Sequence, residues 1–414
     1  MSNSDSLSPP TNRQNLPPEI LNQILGLLPS RSAYLHMLEG VKEALVACSH
    51  VCRRWRSVAV PLIWSELVIY YDPADNELLR KFSQFLVAAR FASVAGQYDY
   101  ASFVKTLILT DTFYHGQLSF ADITKPMISI AQLFSNTQLQ SMLFRFPDKC
   151  ERGCCNIYPL VVAMERLVAG LKQLELHHVN EYAKASRLLE FVPPPPTLEK
   201  LYIEGTFKDN FKPDGSICLN RVFLLPNLCD LALNHLNSTV TPTQLVQGLC
   251  LWGLRFRRLS LIGCPSLIDD KVILALVEHC PNLVSLELGY PFDDTDRKRP
   301  ILDSISDRSM SRLIAQCTRL RELYCGDIAS LTDTFLAYCA AHGYALRKLT
   351  ILSFVIVGCG VTDLSGWGQL EELEIADTNT SGKLAISEAF QRAVLEECHS
   401  LKECRLGNEW IVGP

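Results

Sequence analysis

The chain predicts an α/β solenoid, with short parallel strands stacked into a curved sheet on a concave face and helices on a convex face. Three observations carry this. An acid recurs at Asp270, Asp307, Asp333 and Glu388, each with an aliphatic residue two before it: Ile268, Ile305, Leu331 and Ile386. Thirteen residues after each acid a leucine (Leu283, Leu320, Leu346 or Leu401) opens a short L-x-x-L-x-L run or a variant of it. Three residues before that leucine stands Cys280, Cys317 or Cys398, with Gly343 in the remaining copy. Self-similarity at fixed spacing marks stacked repeats, none of which can bury its apolar side alone.

The elements follow in chain order. Residues 1–13, rich in Ser, Asn and Pro and without an apolar run, are expected to be a disordered tail. Residues 15–28 read NLPPEILNQILGLL. Pro17 and Pro18 suit a first helical turn, and Ile20, Leu21, Ile24, Leu25 and Leu28 share one apolar face. Tyr34, Leu38, Val41, Leu45 and Cys48 predict a second helix. A third is predicted to begin near His50, to carry Val51, Cys52, Trp55 and Val58, and to end at Pro61. Three helices over residues 14–62 make a thin core, so their apolar surface implies a partner. Residues 63–103 are read as a connecting segment in which WSELVI, from Trp64, is a degenerate first strand.

From residue 104 onward the strands come in series: VKTLIL, LQSMLF, LKQLEL, LEKLYI, LCDLAL, FRRLSL, LVSLEL, LRELYC, LRKLTI, LEELEI and LKECRL. Their starts are separated by 35, 32, 27, 30, 28, 27, 37, 26, 24 and 31 residues. Alternate strand residues point to opposite faces, so the leucines face inward and the residues between them face out. Glu175, Tyr202, Ser260, Glu287, Tyr324, Thr350, Glu374 and Arg405 are therefore expected on the concave face, flanked by Lys172, Glu199, Arg258, Glu322, Lys348 and Glu372. The tyrosines are the favoured contacts, because aromatics are enriched where partners bind. Between strands the period is helical: Leu276, Val277 and Cys280 share a face, as do Leu313, Ile314 and Cys317. Ser306, Thr332 and Ser387 are placed to cap those helices, with each acid at the positive helix end.

LIDDKVILALVEHCPNLVSLEL and SISDRSMSRLIAQCTRLRELY resemble the cysteine-containing leucine-rich repeats. The resemblance covers residues 100–410 unevenly; Cys264 is the one residue that meets the ladder position eight after the first leucine. LPPEIL followed by LVACSHVCRRWRSVAVPLIW resembles the F-box, with Leu16, Pro17, Glu19, Ile20 and Leu21 matching its opening and Val51, Cys52, Trp55 and Arg56 its third helix. The link between the first helix and the LVACS block is longer than in that family and reads as an extension of the second helix. The resemblance implies a substrate receptor of an SCF-type ubiquitin ligase. It would dock the Skp adaptor, and through it a cullin, by Leu16, Pro17, Ile20, Leu21, Ile24, Leu45, Val51, Cys52 and Trp55, and would hold a protein substrate on the repeats. The competing reading is a non-ligase scaffold whose N-terminal helices only cap the solenoid.

Composition narrows the remaining classes. A net charge of −5 leaves no basic footprint for nucleic acid. The longest apolar stretch, residues 349–361, is too short to span a bilayer, so no membrane partner is expected. With no secretory signal, the sixteen cysteines point to a reducing cytoplasmic or nuclear compartment. Cys150, Cys154 and Cys155 lack the paired spacing of a zinc site, and His177–His178 lack a third ligand. Pro193–Pro196 read as a stiff connector into the next strand, and DDTDRKR at 293–299 as a solvated loop. No G-x-S-x-G, phosphate loop, G-x-G-x-x-G or H-E-x-x-H is present, so no cofactor or catalytic residue is assigned and an enzyme would need an unrecognised site.

Overall fold

A computed structural model describes residues 44–71, 100–111, 128, 131, 134, 139–145, 162, 165, 167–177, 195–205, 219–236, 240–290, 302–353, 355–376, 386–407 and 409–412. The first N-terminal helix, the cysteines at 150–155 and the 293–299 segment lie outside these residues.

Every L-x-x-L-x-L run becomes a strand of one sheet: β1 (Glu66–Tyr71), β2 (Thr106–Asp111), β3 (Ser141–Arg145), β4 (Gln173–His177), β5 (Lys200–Glu204), β6 (Asp230–Asn234), β7 (Arg258–Ile262), β8 (Ser285–Gly289), β9 (Glu322–Gly326), β10 (Lys348–Leu352), β11 (Glu372–Ala376) and β12 (Glu403–Leu406). The spatial order is the sequence order, and β1 to β12 are parallel throughout. A thirteenth strand, β13 (Glu409–Val412), departs from the expectation of a wholly parallel sheet. Gly407 (φ 66°) turns the chain back, and β13 pairs antiparallel with β12. Such a tight return is possible only for an antiparallel neighbour; a parallel one needs a crossover.

The alternation predicted for the strands is seen as burial. In β3, β4 and β5 the second and fourth residues are buried and the others half-buried. Inward residues such as Leu174, Leu201, Leu231, Leu259, Leu286, Leu323, Leu349 and Leu373 form one continuous apolar core along the sheet. Burying each such leucine contributes about 1.5–3 kcal/mol.

On the inner face lie α3 (Pro242–Trp252), α4 (Asp270–His279), α5 (Asp307–Gln316), α6 (Asp333–His342) and α7 (Glu388–Glu397). Helices α4 to α7 each begin at the register acid and are ten residues long. Their C-caps are Cys280, Cys317, Gly343 and Cys398. Ser306 and Thr332 cap α5 and α6 as expected, while Ser387 makes no side-chain cap bond. Between β10 and β11 a 3₁₀ turn, Ser365–Trp367, stands where the units on either side have a helix, and the fully buried Trp367 fills the space beside Phe390.

The register acids do more than favour helix ends. Asp270 accepts from the Ser306 N–H (2.8 Å), the Ser306 hydroxyl (2.8 Å) and the Ser309 hydroxyl (2.5 Å) of the next unit. Asp307 accepts likewise from the N–H and hydroxyl of Thr332 (2.9 and 2.5 Å). Asp333 faces the unit without a helix and accepts from the N–H groups of Val357, Gly358 and Cys359 (3.0, 2.8 and 3.0 Å). Asp270, Asp307 and Asp333 are thus brackets between neighbouring units; Glu388 makes no such bond among the described residues. Cysteines add a second ladder: Cys264 Sγ donates to the Leu233 carbonyl (2.9 Å), and Cys317 Sγ to that of Cys280 (3.7 Å). Burial pushes the Cys264, Cys280 and Cys317 thiols up to about 12, so they stay protonated.

At the N-terminal end, residues 44–51 are helical, and α1 spans Arg53–Ile63. Two expectations change here. The helix begins after an extended Cys52 (φ −163°), not near His50, and Pro61 lies inside it, two residues before its end. A proline in the last turn costs one backbone bond without preventing the turn from closing. Leu45 and Ala59 form a small separate core with Trp55, Val58 and Leu62 against it. Ser65 receives the N–H groups of Lys105 and Thr106, and the Trp64 ring lies 5.3 Å from that of Tyr100 in α2 (Tyr100–Phe103), which joins α1 to the start of the sheet.

Candidate functional site

The open face of the sheet is set by register. The eight outward residues named from the sequence fall in one row that crosses β4 to β12: Glu175, Tyr202, Ala232, Ser260, Glu287, Tyr324, Thr350, Glu374 and Arg405 stand opposite one another in turn. Ala232, between Tyr202 and Ser260, is the one member of this stretch without a polar or aromatic side chain. Before Glu175 the row continues through Val68, Ile108 and Leu143, so its first three strands present apolar centres. After Arg405 it ends on Trp410, 63% exposed, whose ring lies 5.4 Å from the Arg405 guanidinium. Trp410 was out of reach of the sequence pattern, because it belongs to the antiparallel return strand. The flanking row holds Arg258, Glu322, Lys348 and Glu372 as expected. Lys172 and Glu199 fall one residue earlier, on the rim where the strands begin, and pair there at 3.3 Å.

These residues differ in availability. Ser260 and Thr350 are buried, at 8% and 5% exposure. Ser260 Oγ lies 2.9 Å from Asn234 Oδ1 and 2.7 Å from Glu287 Oε2, and its hydroxyl donates to one of the two. Tyr324 donates its hydroxyl to the Tyr290 carbonyl (2.6 Å), which holds the chain after β8 in place. Glu374 and Arg405 form a close pair (2.8 Å), and Lys348–Glu372 another (2.5 Å).

On the open face a polar group surrounds His177. Its Nδ1 lies 2.5 Å from Glu204 Oε2, and its Nε2 stands 3.7 Å from Glu175 Oε2, an ion-pair distance rather than a hydrogen bond. The ring packs 4.8 Å from that of Tyr202. Burial by itself would lower the His177 pKa; hydrogen bonds and charge from Glu175 and Glu204 outweigh it, and the net shift is upward. Burial, with the Glu204 charge, raises the Tyr202 phenol, so it remains protonated. The sequence named His177 only as a weak metal candidate. Among the described residues no group of three or more His, Cys, Asp and Glu side chains is arranged to hold a metal ion.

For the N-terminal docking residues the described part gives a division. Leu45 is buried and Trp55 packs on it, so both hold the helices together. Val51, at 63% exposure, and Cys52 face outward. Leu16, Pro17, Ile20, Leu21 and Ile24 lie outside the described residues.

Comparison with known proteins adds the following. Residues 14–70 match the family described as F-box-like. A chain of the Rad7 and Elc1 complex of yeast is similar in structure at a TM-score of 0.40 and 15% identity, over 84% of this chain and 94% of that one. The internalin InlF of Listeria monocytogenes has a TM-score of 0.42 at 12% identity, over 94% of this chain and 88% of that one. No curated protein matches in sequence. Among the described residues no helix is long and apolar enough to cross a membrane.

Proposed function

We propose that the F-box-like segment at residues 14–70 docks a Skp-type adaptor, and through it a cullin, while the open face of the sheet holds a protein destined for ubiquitin transfer. What carries the reading is the order of parts: an F-box-like match runs into β1, and β1 opens one unbroken sheet that presents a long mixed surface. The chain would perform no chemistry itself. It would raise the local concentration of a bound protein near the conjugating enzyme, in the cytosol or nucleus. Val51 and Cys52 are the described members of the docking surface with apolar or thiol surface to spare.

Co-expression with a Skp-type adaptor tests this. The two chains should co-elute, and Leu16→Ala with Pro17→Ala should separate them while the melting temperature of the solenoid stays unchanged. Absence of co-elution for the wild type, or co-elution undisturbed by the double variant, would return the N-terminal helices to the role of a cap.

A further inference from the structure

A second surface lies on the rim where the strands begin, away from the open face. One residue before each of β2 to β12, backbone N–H groups bond the preceding unit's carbonyl at 2.7–2.8 Å, which aligns a row through Arg257, Val284, Arg321, Arg347, Glu371 and Lys402. Just outside this row, in four of the units, a polar side chain reaches back to a carbonyl of the preceding unit: Thr197 to Leu171, Asn227 to Pro196, Asn282 to Leu254 and Ser400 to Gly368, all at 2.8–2.9 Å. Arg319 and Ala345 occupy the same place in the units of β9 and β10. Alanine has no group to make the bond.

A cleft of about 300 Å³ opens at that point. Apolar and aromatic side chains line it, among them Ile314, Leu320, Tyr338, Tyr344 and Leu346, with His342 at 4.4 Å ring distance from Tyr338. Tyr344 is 61% exposed at its mouth. Gly343, the residue that breaks the cysteine pattern, belongs to the same wall, and a Cβ there would meet the Cys339 carbonyl at 2.7 Å. Charge stands beside the apolar wall. Arg319 and Arg321 bracket the lining residue Leu320, and Arg347 follows the lining residue Leu346. Arg319 and Arg321 are exposed and form no ion pair among the described residues. Arg347 pairs with Glu371 at 3.2 Å, and Lys402 shares that carboxylate. Glu322 and Glu372 lie on the open-face side, against Lys348.

We propose that this rim cleft is a docking site for an acidic peptide segment, which seats one bulky apolar side chain between Tyr338 and Tyr344 and lays Asp or Glu carboxylates over Arg319 and Arg321. The apolar cleft sets the anchor, and the two guanidiniums, without an ion pair among the described residues, set the charge of what flanks it; guanidinium forks suit carboxylates in this way. The site uses no residue of the open face, so it stands or falls apart from the adaptor reading above.

The test is a random heptapeptide display library panned on the full-length chain. Selected peptides should carry at least two acids beside one aromatic or large aliphatic residue. Synthesised with a fluorophore, they should lose about tenfold or more in affinity against Arg319→Glu with Arg321→Glu, and by a similar factor against Tyr344→Ala, since unlike charges across a rim govern capture. Tyr202→Ala, on the open face, should bind them normally. All three variants change exposed or half-buried side chains, and melting curves verify that each is folded. A panning that yields no sequence family, a family without acids, or affinities indifferent to the arginine reversal would each overturn the proposal.

Discussion

At the scale of single residues, the bracket carboxylates and His177 give the sharpest expectations. Asp333 accepts three backbone N–H groups from a segment that has no helix of its own to satisfy them. Asp333→Ala leaves those donors without their acceptor and should cost about 1–3 kcal/mol, read as a lower midpoint in urea with an unchanged slope. Asp333→Asn, which keeps one carbonyl oxygen, should fall between; equality with the wild type would mean water replaces the carboxylate at no cost. His177 ties stability to pH. Its pKa in the folded chain lies above 6.5. The stabilisation it supplies is complete below the unfolded value and is lost as pH rises through the folded one. His177→Gln should therefore lower the melting temperature more at about pH 5.5 than at about pH 8.5, and equal drops at both would show that the ring is held by packing with Tyr202 instead. The sequence made the outward row legible because period two is strict. It could not show that Tyr324 is tied to Tyr290, or that Ser260 and Thr350 sit below the surface, because those facts depend on the sizes of neighbours many residues away.

At the scale of elements, the spacing of acid, cysteine and leucine located α4 to α7 and their strands closely, since each unit repeats one solution to the same packing problem. What it missed were the departures: the 3₁₀ turn in place of a helix before β11, the proline inside α1, and β13. Each is a local exception to the period and leaves no periodic trace. The junction of β8 and β9 is one more. Gly289 has φ 98°, and a Cβ on it would lie 1.8 Å from the Gly326 carbonyl oxygen. The two strand ends approach so closely only because neither has a side chain there. Gly289→Ala should cost at least about 2 kcal/mol from the left-handed backbone and the contact together. Hydrogen exchange would locate the damage: faster exchange confined to β8, β9 and their flanking turns is expected, and a uniform change along the solenoid would contradict it.

At the scale of the whole molecule, the stacked units contact mainly their neighbours, so stability is close to a sum along one dimension and the ends need closing. The two ends are closed differently. At one, α1 runs into β1, and Ser65 and Trp64 tie that junction to β2 and α2. At the other, β13 covers the edge of β12 with a short antiparallel strand, and Trp410 lies over Arg405. An uncovered edge strand is a template for pairing with a second chain. Truncation after Leu406 should therefore lower the melting temperature modestly, because β12 loses its antiparallel partner and Arg405 its ring, and should also raise light scattering with protein concentration. The scattering is the decisive part. If the truncated chain melts lower but stays monomeric at every concentration, β13 supplies stability alone and the edge is protected in some other way. Trp410→Ala separates the two effects further: it removes the ring but keeps the strand pairing, so it should leave scattering at the wild-type level.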